Sequence, residues 1–283
     1  MIIDTHTHFG DPAHPKHDIY RTAMPETYKT LAVPQGVTGT IIVESGCQIE
    51  GNQWDLDLAA DDPFIVGIVG NLDPFADDFA AYLERFAANP LFNGFRLHTG
   101  YFREYSGKPR QTKDDISDKL IESLELLRDK DLALDFSGDH ETLGYAAELV
   151  QRVPGLRLVL NHIVGCRPIN GKEPNAAWAD GVRQIATWPN IYCKVSALVQ
   201  MTEIVPSPAE LEYYKPTLDV LWHAFGAERL IYGSNWPQIE QVSDFATAHA
   251  IVARYFESKG SEAAEQYFWR NSKAAYKWVD RPS

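Results

Sequence analysis

Eight short runs rich in aliphatic and β-branched residues recur along this 283-residue chain, with longer amphipathic segments between them. The runs cover residues 1–6, 39–43, 64–71, 94–98, 132–137, 156–162, 191–196 and 230–234. Helical periodicity is expected over residues 76–88, 116–130, 141–153, 176–187, 216–225 and 243–257. In the second of these, Ile116, Leu120, Leu124 and Leu127 recur at helical spacing. Strands that alternate with helices pair in parallel through crossover connections. Eight such units in this length predict a closed α/β barrel, the (β/α)8 or TIM-barrel architecture, in distorted form. An open dinucleotide-binding sheet would need a Gly-rich loop after the first strand, and none is present. No linker or low-complexity tract interrupts the chain, so a single domain over residues 1–283 is expected.

Composition narrows the partners. Hydrophobic residues make up 45% of the chain, enough for a full core, and the formal charge of -13 argues against nucleic acid or an anionic membrane surface. No run of 18 apolar residues reads as a membrane span. Asp4, His6 and His8 interrupt the N-terminus before a signal peptide's apolar stretch develops, so a cytoplasmic location is expected. Cys47, Cys166 and Cys193 lack CxxC spacing and read as free thiols in a reducing compartment. The aromatic pairs Tyr213-Tyr214 and Tyr255-Phe256 read as exposed and make a homodimer an expectation.

In a barrel, chemistry collects at the C-terminal ends of the strands. Here those ends are densely polar. His6 and His8 are two residues apart and project side by side from an extended strand. Paired imidazoles bind metals, polarise carbonyls or pass protons. Glu44 ends the second strand, with Asn52 beyond it, and Asn71 and Asp73 end the third. Arg96 and His98 share a face of the fourth, and Asp135 lies on the fifth. Asn161-His162, Lys194 with Ser196, and Asn235-Trp236 complete the ring. Arg96 reads as a clamp for a carboxylate or carbonyl oxygen, or as a structural partner of Glu44 or Asp135. Lys194 either neutralises a substrate charge or forms a salt bridge. His98 reads as a wall residue. Long connections over residues 9–26, 99–115 and 198–214 follow strand ends, where substrate pockets form. The last has the composition of a lid.

Five segments together resemble the amidohydrolase-2 (amidohydrolase-related) group. They are Asp4-Thr5-His6-Thr7-His8, Gly94-Phe95-Arg96, Val159-Leu160-Asn161-His162, Lys194-Val195-Ser196 and Gly233-Ser234-Asn235-Trp236-Pro237. The group includes sugar-acid lactonases and 2-pyrone-4,6-dicarboxylate lactonases, and the resemblance extends over essentially the whole chain. It implies hydrolysis of a small anionic or polyhydroxylated cyclic ester. His6, His8 and His162 would polarise the carbonyl, and Arg96, Lys194, Asp135, His98 and Trp236 would line the substrate site. A divalent metal such as Zn²⁺ on His6 and His8 stays open.

One position departs from the pattern. Asn235 stands where the group usually has the aspartate that serves as general base, and a neutral amide takes no proton at pH 7. Three readings follow: another carboxylate (Glu44, Asp73 or Asp135) acts as base, the chain binds without rapid turnover, or an aspartate has been replaced to trap a ligand. The first predicts a lactonase with relocated chemistry, with Glu44 and Asn235 counted among the catalytic residues. The alternatives are a metal-dependent decarboxylase or hydratase of unsaturated acids, and a ligand-binding barrel.

Overall fold

In the computed structural model, which describes residues 1–10, 23–45, 49–99 and 112–281, eight parallel strands form one sheet in sequence order. The strands are β1 (Ile3–Thr7), β2 (Gly39–Val43), β3 (Ile65–Gly70), β4 (Phe92–His98), β5 (Ala133–Ser137), β6 (Arg157–Leu160), β7 (Ile191–Val195) and β8 (Leu230–Tyr232). Helices follow each strand: α1 (Pro25–Ala32), α2 (Gly51–Asp61), α3 (Phe79–Ala87), α4 (Asp118–Asp129), α5 (Leu143–Arg152), α6 (Ala176–Ile185), α7 (Leu211–Phe225) and α8 (Phe245–Ser258). Two short helices, α9 (Ser261–Glu265) and α10 (Asn271–Tyr276), end the chain. This is the predicted (β/α)8 barrel.

The strands are buried on both faces, which explains why they read as nearly continuous apolar runs. Their outer side chains join those of the helices in the main core, where Leu120, Leu124 and Leu127 are fully buried. The barrel interior is layered. At its N-terminal end Ile3, Ile41, Val66, Ala133, Val159 and Ile231 pack with Tyr276 and Trp278, so the chain's C-terminal segment plugs that end. Polar residues fill the other end.

The β1–β8 seam closes with a bridge, Thr7 to Trp236, two backbone bonds, His8 N–H to the Trp236 carbonyl and Asn235 N–H to the His6 carbonyl, and the Thr5 hydroxyl, which donates to the Tyr232 carbonyl at 2.6 Å. Asp4 staples it. One of its carboxylate oxygens accepts the N–H groups of Ser234 (2.8 Å) and His6 (3.1 Å), and the other accepts the Tyr28 hydroxyl (2.7 Å). Gly233 is required here, because a Cβ would sit 2.9 Å from that of His6.

Some expectations are corrected. Strand β6 stops at Leu160, and His162, Ile163 and Val164 adopt left-handed backbone with φ of 52°, 47° and 54°. That conformation is costly for β-branched residues and turns the chain sharply at the barrel mouth. Helix α7 begins at Leu211 and carries Pro216 inside it, with Tyr214, Leu218, Leu221 and Phe225 on its buried face. The expected 198–214 connection is therefore shorter, and it opens with a 3-10 turn at Leu198–Met201. Helices α1 and α2 were not anticipated. In α2 the buried face carries Asn52 and Asp55 beside Leu56 and Ala59, which masks its periodicity. Tyr214, Tyr255 and Phe256 are buried, and the Tyr213 hydroxyl donates to the Ile169 carbonyl at 3.0 Å, so these aromatics form no exposed dimer face. Most of the 9–26 and 99–115 connections, with Cys47, lies outside the described residues. Cys166 and Cys193 are free and buried. No helix among the described residues is long and apolar enough to cross a membrane.

Candidate active site

The polar end of the barrel centres on three imidazoles. The ring of His6 lies 5.0 Å from that of His8 and 4.4 Å from that of His162, centroid to centroid. The period-2 projection from β1 supplies the first pair, and the left-handed turn after β6 swings in the third. All three are buried.

Their surroundings set their protonation. Burial and the positive charge of Lys194 hold His6 well below the ordinary histidine range. Burial, then Arg96, pulls His8 down to about 4, against the opposing hydrogen bond to Val43 and the charge of Glu44. Burial and Arg96 depress His162 likewise. The centre is a cluster of neutral imidazoles in a cationic setting.

Hydrogen bonds then fix which nitrogen carries the proton in His8 and His6. His8 Nδ1 lies 2.8 Å from the Val43 carbonyl, which only accepts, so Nδ1 is the donor and neutral His8 keeps its lone pair on Nε2. His162 Nδ1 lies 2.9 Å from Ser196 Oγ. That oxygen also accepts the His162 backbone N–H at 3.3 Å, and with one O–H and two lone pairs it pairs with either tautomer of His162. His6 Nδ1 faces the Lys194 ammonium at 3.4 Å, which places the His6 proton on Nε2, a buried nitrogen with no hydrogen-bond partner. An imidazole donor, His6 Nε2–H, thus stands beside an imidazole acceptor, His8 Nε2.

The expected carboxylates are engaged elsewhere. Glu44 Oε1 accepts from Arg96 Nε (2.9 Å) and Nη2 (2.5 Å), and lies 2.8 Å from His98 Nε2. Burial opposes its ionisation, but Arg96 and His98 outweigh burial and hold it far below the usual carboxylate range. Such a group is a poor base. Its second oxygen, Oε2, is buried without a partner. Asp135 and Lys194 form a fully buried ion pair at 2.8 Å, completed by the Tyr276 hydroxyl and the Asn161 amide. This pair lies between the imidazoles and the C-terminal plug, where it supports His6, rather than on the substrate side. Asp73 is exposed and accepts the Phe75 N–H in a turn. Trp236 is buried between Phe9 and Tyr28 and lines the aromatic core instead of the mouth.

Asn235 does reach the centre. Its φ of 69° suits asparagine better than most residues, and its Oδ1 lies 3.2 Å from His8 Nε2. Its Nδ2 donates to Gln200 Oε1 at 2.7 Å. Gln200, on the turn after β7, and the buried Asp55 on α2 escaped the sequence reading. Neither ends a strand, and no periodicity marks them.

The metal expectation for His6 and His8 meets a chemical obstacle. A ligating imidazole offers a lone pair and donates its other N–H to a carbonyl or carboxylate. His8 can do so, but His6 faces an ammonium at Nδ1 and carries its proton on the nitrogen a metal would need. Among the described residues no group of three histidine, cysteine, aspartate or glutamate side chains is arranged to hold an ion. The residues present do not fit a divalent metal.

Comparison with known proteins adds the lineage. The chain is 29% identical to an L-fucono-1,5-lactonase of Burkholderia ambifaria, over 99% of this chain and 97% of that protein. An amidohydrolase of Burkholderia multivorans solved with bound zinc superposes with a TM-score of 0.81 at 22% identity, over 99% of this chain and 100% of its own. A probable 2-pyrone-4,6-dicarboxylic acid hydrolase of Acinetobacter baumannii, solved with citric acid, gives 0.77 at 15% identity, over 98% and 99% of the two chains. At these identities the two structures speak to the fold. The amidohydrolase family model, however, matches residues 3–278, and the chain belongs to that family.

Proposed function

We propose that this chain is a lactonase-like hydrolase that opens a small polyhydroxylated lactone, a six-membered sugar-acid ring of the kind named for its Burkholderia relatives. The observation that carries the reading is that His8 Nδ1 lies 2.8 Å from a carbonyl while His6 Nδ1 lies 3.4 Å from an ammonium, which sets opposite tautomers side by side. Ester hydrolysis needs an acceptor for a water proton and donors for the oxyanion. His8 Nε2 is the acceptor and the Nε2–H group of His6 a donor, and His162 joins it as the second donor in the tautomer whose Nδ1 accepts the Ser196 hydroxyl.

In the first step a water O–H bond breaks and the proton passes to His8 Nε2. The hydroxide oxygen bonds to the acyl carbon, and the carbonyl electron pair moves to oxygen, where His6 and His162 donate to it. In the second step the tetrahedral centre collapses, the ring C–O bond breaks, and the His8 proton passes to the leaving alkoxide. The product is the open hydroxy acid, which releases its own carboxylic proton to solvent. Glu44 Oε2, buried without a partner and held in place by Arg96 on Oε1, accepts a substrate hydroxyl. No step uses a metal.

The test is proton release, followed with a pH indicator, on 1,5- and 1,4-lactones of sugar acids beside pyrone carboxylates. Turnover of the sugar-acid lactones, lost in His162→Ala, supports the reading. Turnover of the pyrones alone, or of nothing, overturns it.

A further inference from the structure

Gln200 is tied to the centre through a run of hydrogen bonds with a defined polarity. Its Nε2 donates to the Gln238 carbonyl at 3.3 Å, and its Oε1 accepts from Asn235 Nδ2 at 2.7 Å. Asn235 Oδ1 lies 3.2 Å from His8 Nε2, and His8 Nδ1 lies 2.8 Å from the Val43 carbonyl. Both ends of this run are backbone carbonyls, which only accept. The Gln238 carbonyl therefore orients the Gln200 amide, and Gln200 in turn orients that of Asn235, with its oxygen toward His8.

We infer that Gln200 is a positioning residue, which holds the Asn235 amide so that Oδ1 accepts a hydrogen bond from the proton that His8 Nε2 carries during turnover. With His8 neutral, Nε2 and Oδ1 are two acceptors side by side, a pair suited to the two hydrogens of one water molecule. Once His8 has taken a proton, every link of the run is satisfied, from the Gln238 carbonyl to the Val43 carbonyl. Asparagine thus contributes where a carboxylate is absent. It takes no proton itself and stabilises the imidazolium that forms beside it. An Asn235 amide turned the other way would point its NH₂ at His8 and oppose that proton.

The inference rests on the lactonase reading for its kinetic arm, and a second arm stands without it. The kinetic arm uses the full chain as Gln200→Leu, Gln200→Glu, Asn235→Ala and the Gln200→Leu/Asn235→Ala double variant, on the lactone the unaltered chain turns over best. Gln200→Leu is expected to lower kcat about tenfold at unchanged KM, the scale of one hydrogen bond to a charged group. Gln200→Glu still accepts from Asn235 Nδ2 and is expected to stay within about threefold. In the Asn235→Ala background, Gln200→Leu should cause no further loss, because its route to His8 is already gone. Additive losses, or an unchanged kcat in Gln200→Leu, overturn the inference.

The second arm reads the side-chain amide of Asn235 by NMR in asparagine-labelled protein, with Asn235→Ala to assign it. One amide proton is expected downfield in the unaltered chain and in Gln200→Glu, and upfield in Gln200→Leu. An amide signal that ignores all three side chains at position 200 overturns the inference even if no lactone is hydrolysed. If the signal responds but no lactone is turned over, the positioning stands and only the hydrolase reading fails.

Discussion

At the scale of single residues, the centre works by holding histidines neutral. His8, near 4, is ready to accept a proton through the neutral range. The account therefore predicts that kcat/KM falls on the acid side with an apparent pKa of about 4 and is level from about pH 5 to 7, which a pH–rate profile checks. Asn235→Asp sets a negative acceptor against His8 Nε2. It should move that acid limb upward by about a unit or more. Arg96 has a second role that the sequence left open, as the partner of buried Glu44. Arg96→Ala strands that carboxylate, and chemical denaturation should show a loss of about 3 kcal/mol. Asp55 works in the opposite direction. Burial and the nearby charge of Glu44 push its carboxyl well above the ordinary range, so the folded chain holds this proton more tightly than the unfolded chain does. Stability then declines as pH rises above the unfolded value, and Asp55→Asn should raise the denaturation midpoint at pH 7.

At the scale of elements, legibility followed burial pattern. Strands enclosed on both faces announce themselves as apolar runs, and all eight were readable from residues such as Ile41, Val69, Leu134 and Leu158. Helix α4, with a clean apolar stripe, was equally plain. Helix α2 was hidden because Asn52 turns inward to bond the Asn71 backbone at 2.7 and 2.8 Å. That is a tertiary arrangement that no local period encodes. The histidines were legible as chemistry because strand geometry fixes where they point. Their roles were not, since these depend on partners such as Ser196 and Val43 brought in from other strands. Glu44 and Asp135 read as possible bases for the same reason, because the sequence gives no account of the Arg96, Lys194 and Tyr276 contacts that occupy them. The β1–β8 seam carries its own prediction. Asp4→Ala leaves the Ser234 and His6 N–H groups and the Tyr28 hydroxyl without their acceptor. The expected loss is about 3 kcal/mol by denaturant titration, with Asp4→Asn losing less.

At the scale of the whole molecule, the barrel separates two tasks along its axis. The N-terminal half of the interior is apolar and sealed by Tyr276 and Trp278, so it supplies stability. The C-terminal half holds neutral bases and buried ion pairs whose arrangement is fixed by that packed floor. This division makes the fold sensitive to acid. His6, His8 and His162 all have folded values below the unfolded one, so the unfolded chain binds protons that the folded chain refuses. Stability contributed by their neutrality is complete above about pH 6.5 and falls as pH drops toward 4, with His8 alone accounting for roughly 3 kcal/mol. The central claim is that these imidazoles hydrolyse a lactone without a metal. The most direct measurement is the rate of sugar-acid lactone hydrolysis by protein dialysed against chelator, with metal content determined on the same sample. The account predicts full turnover at far less than one metal per chain, abolished by His8→Ala. Activity that rises and falls in proportion to bound metal would contradict it.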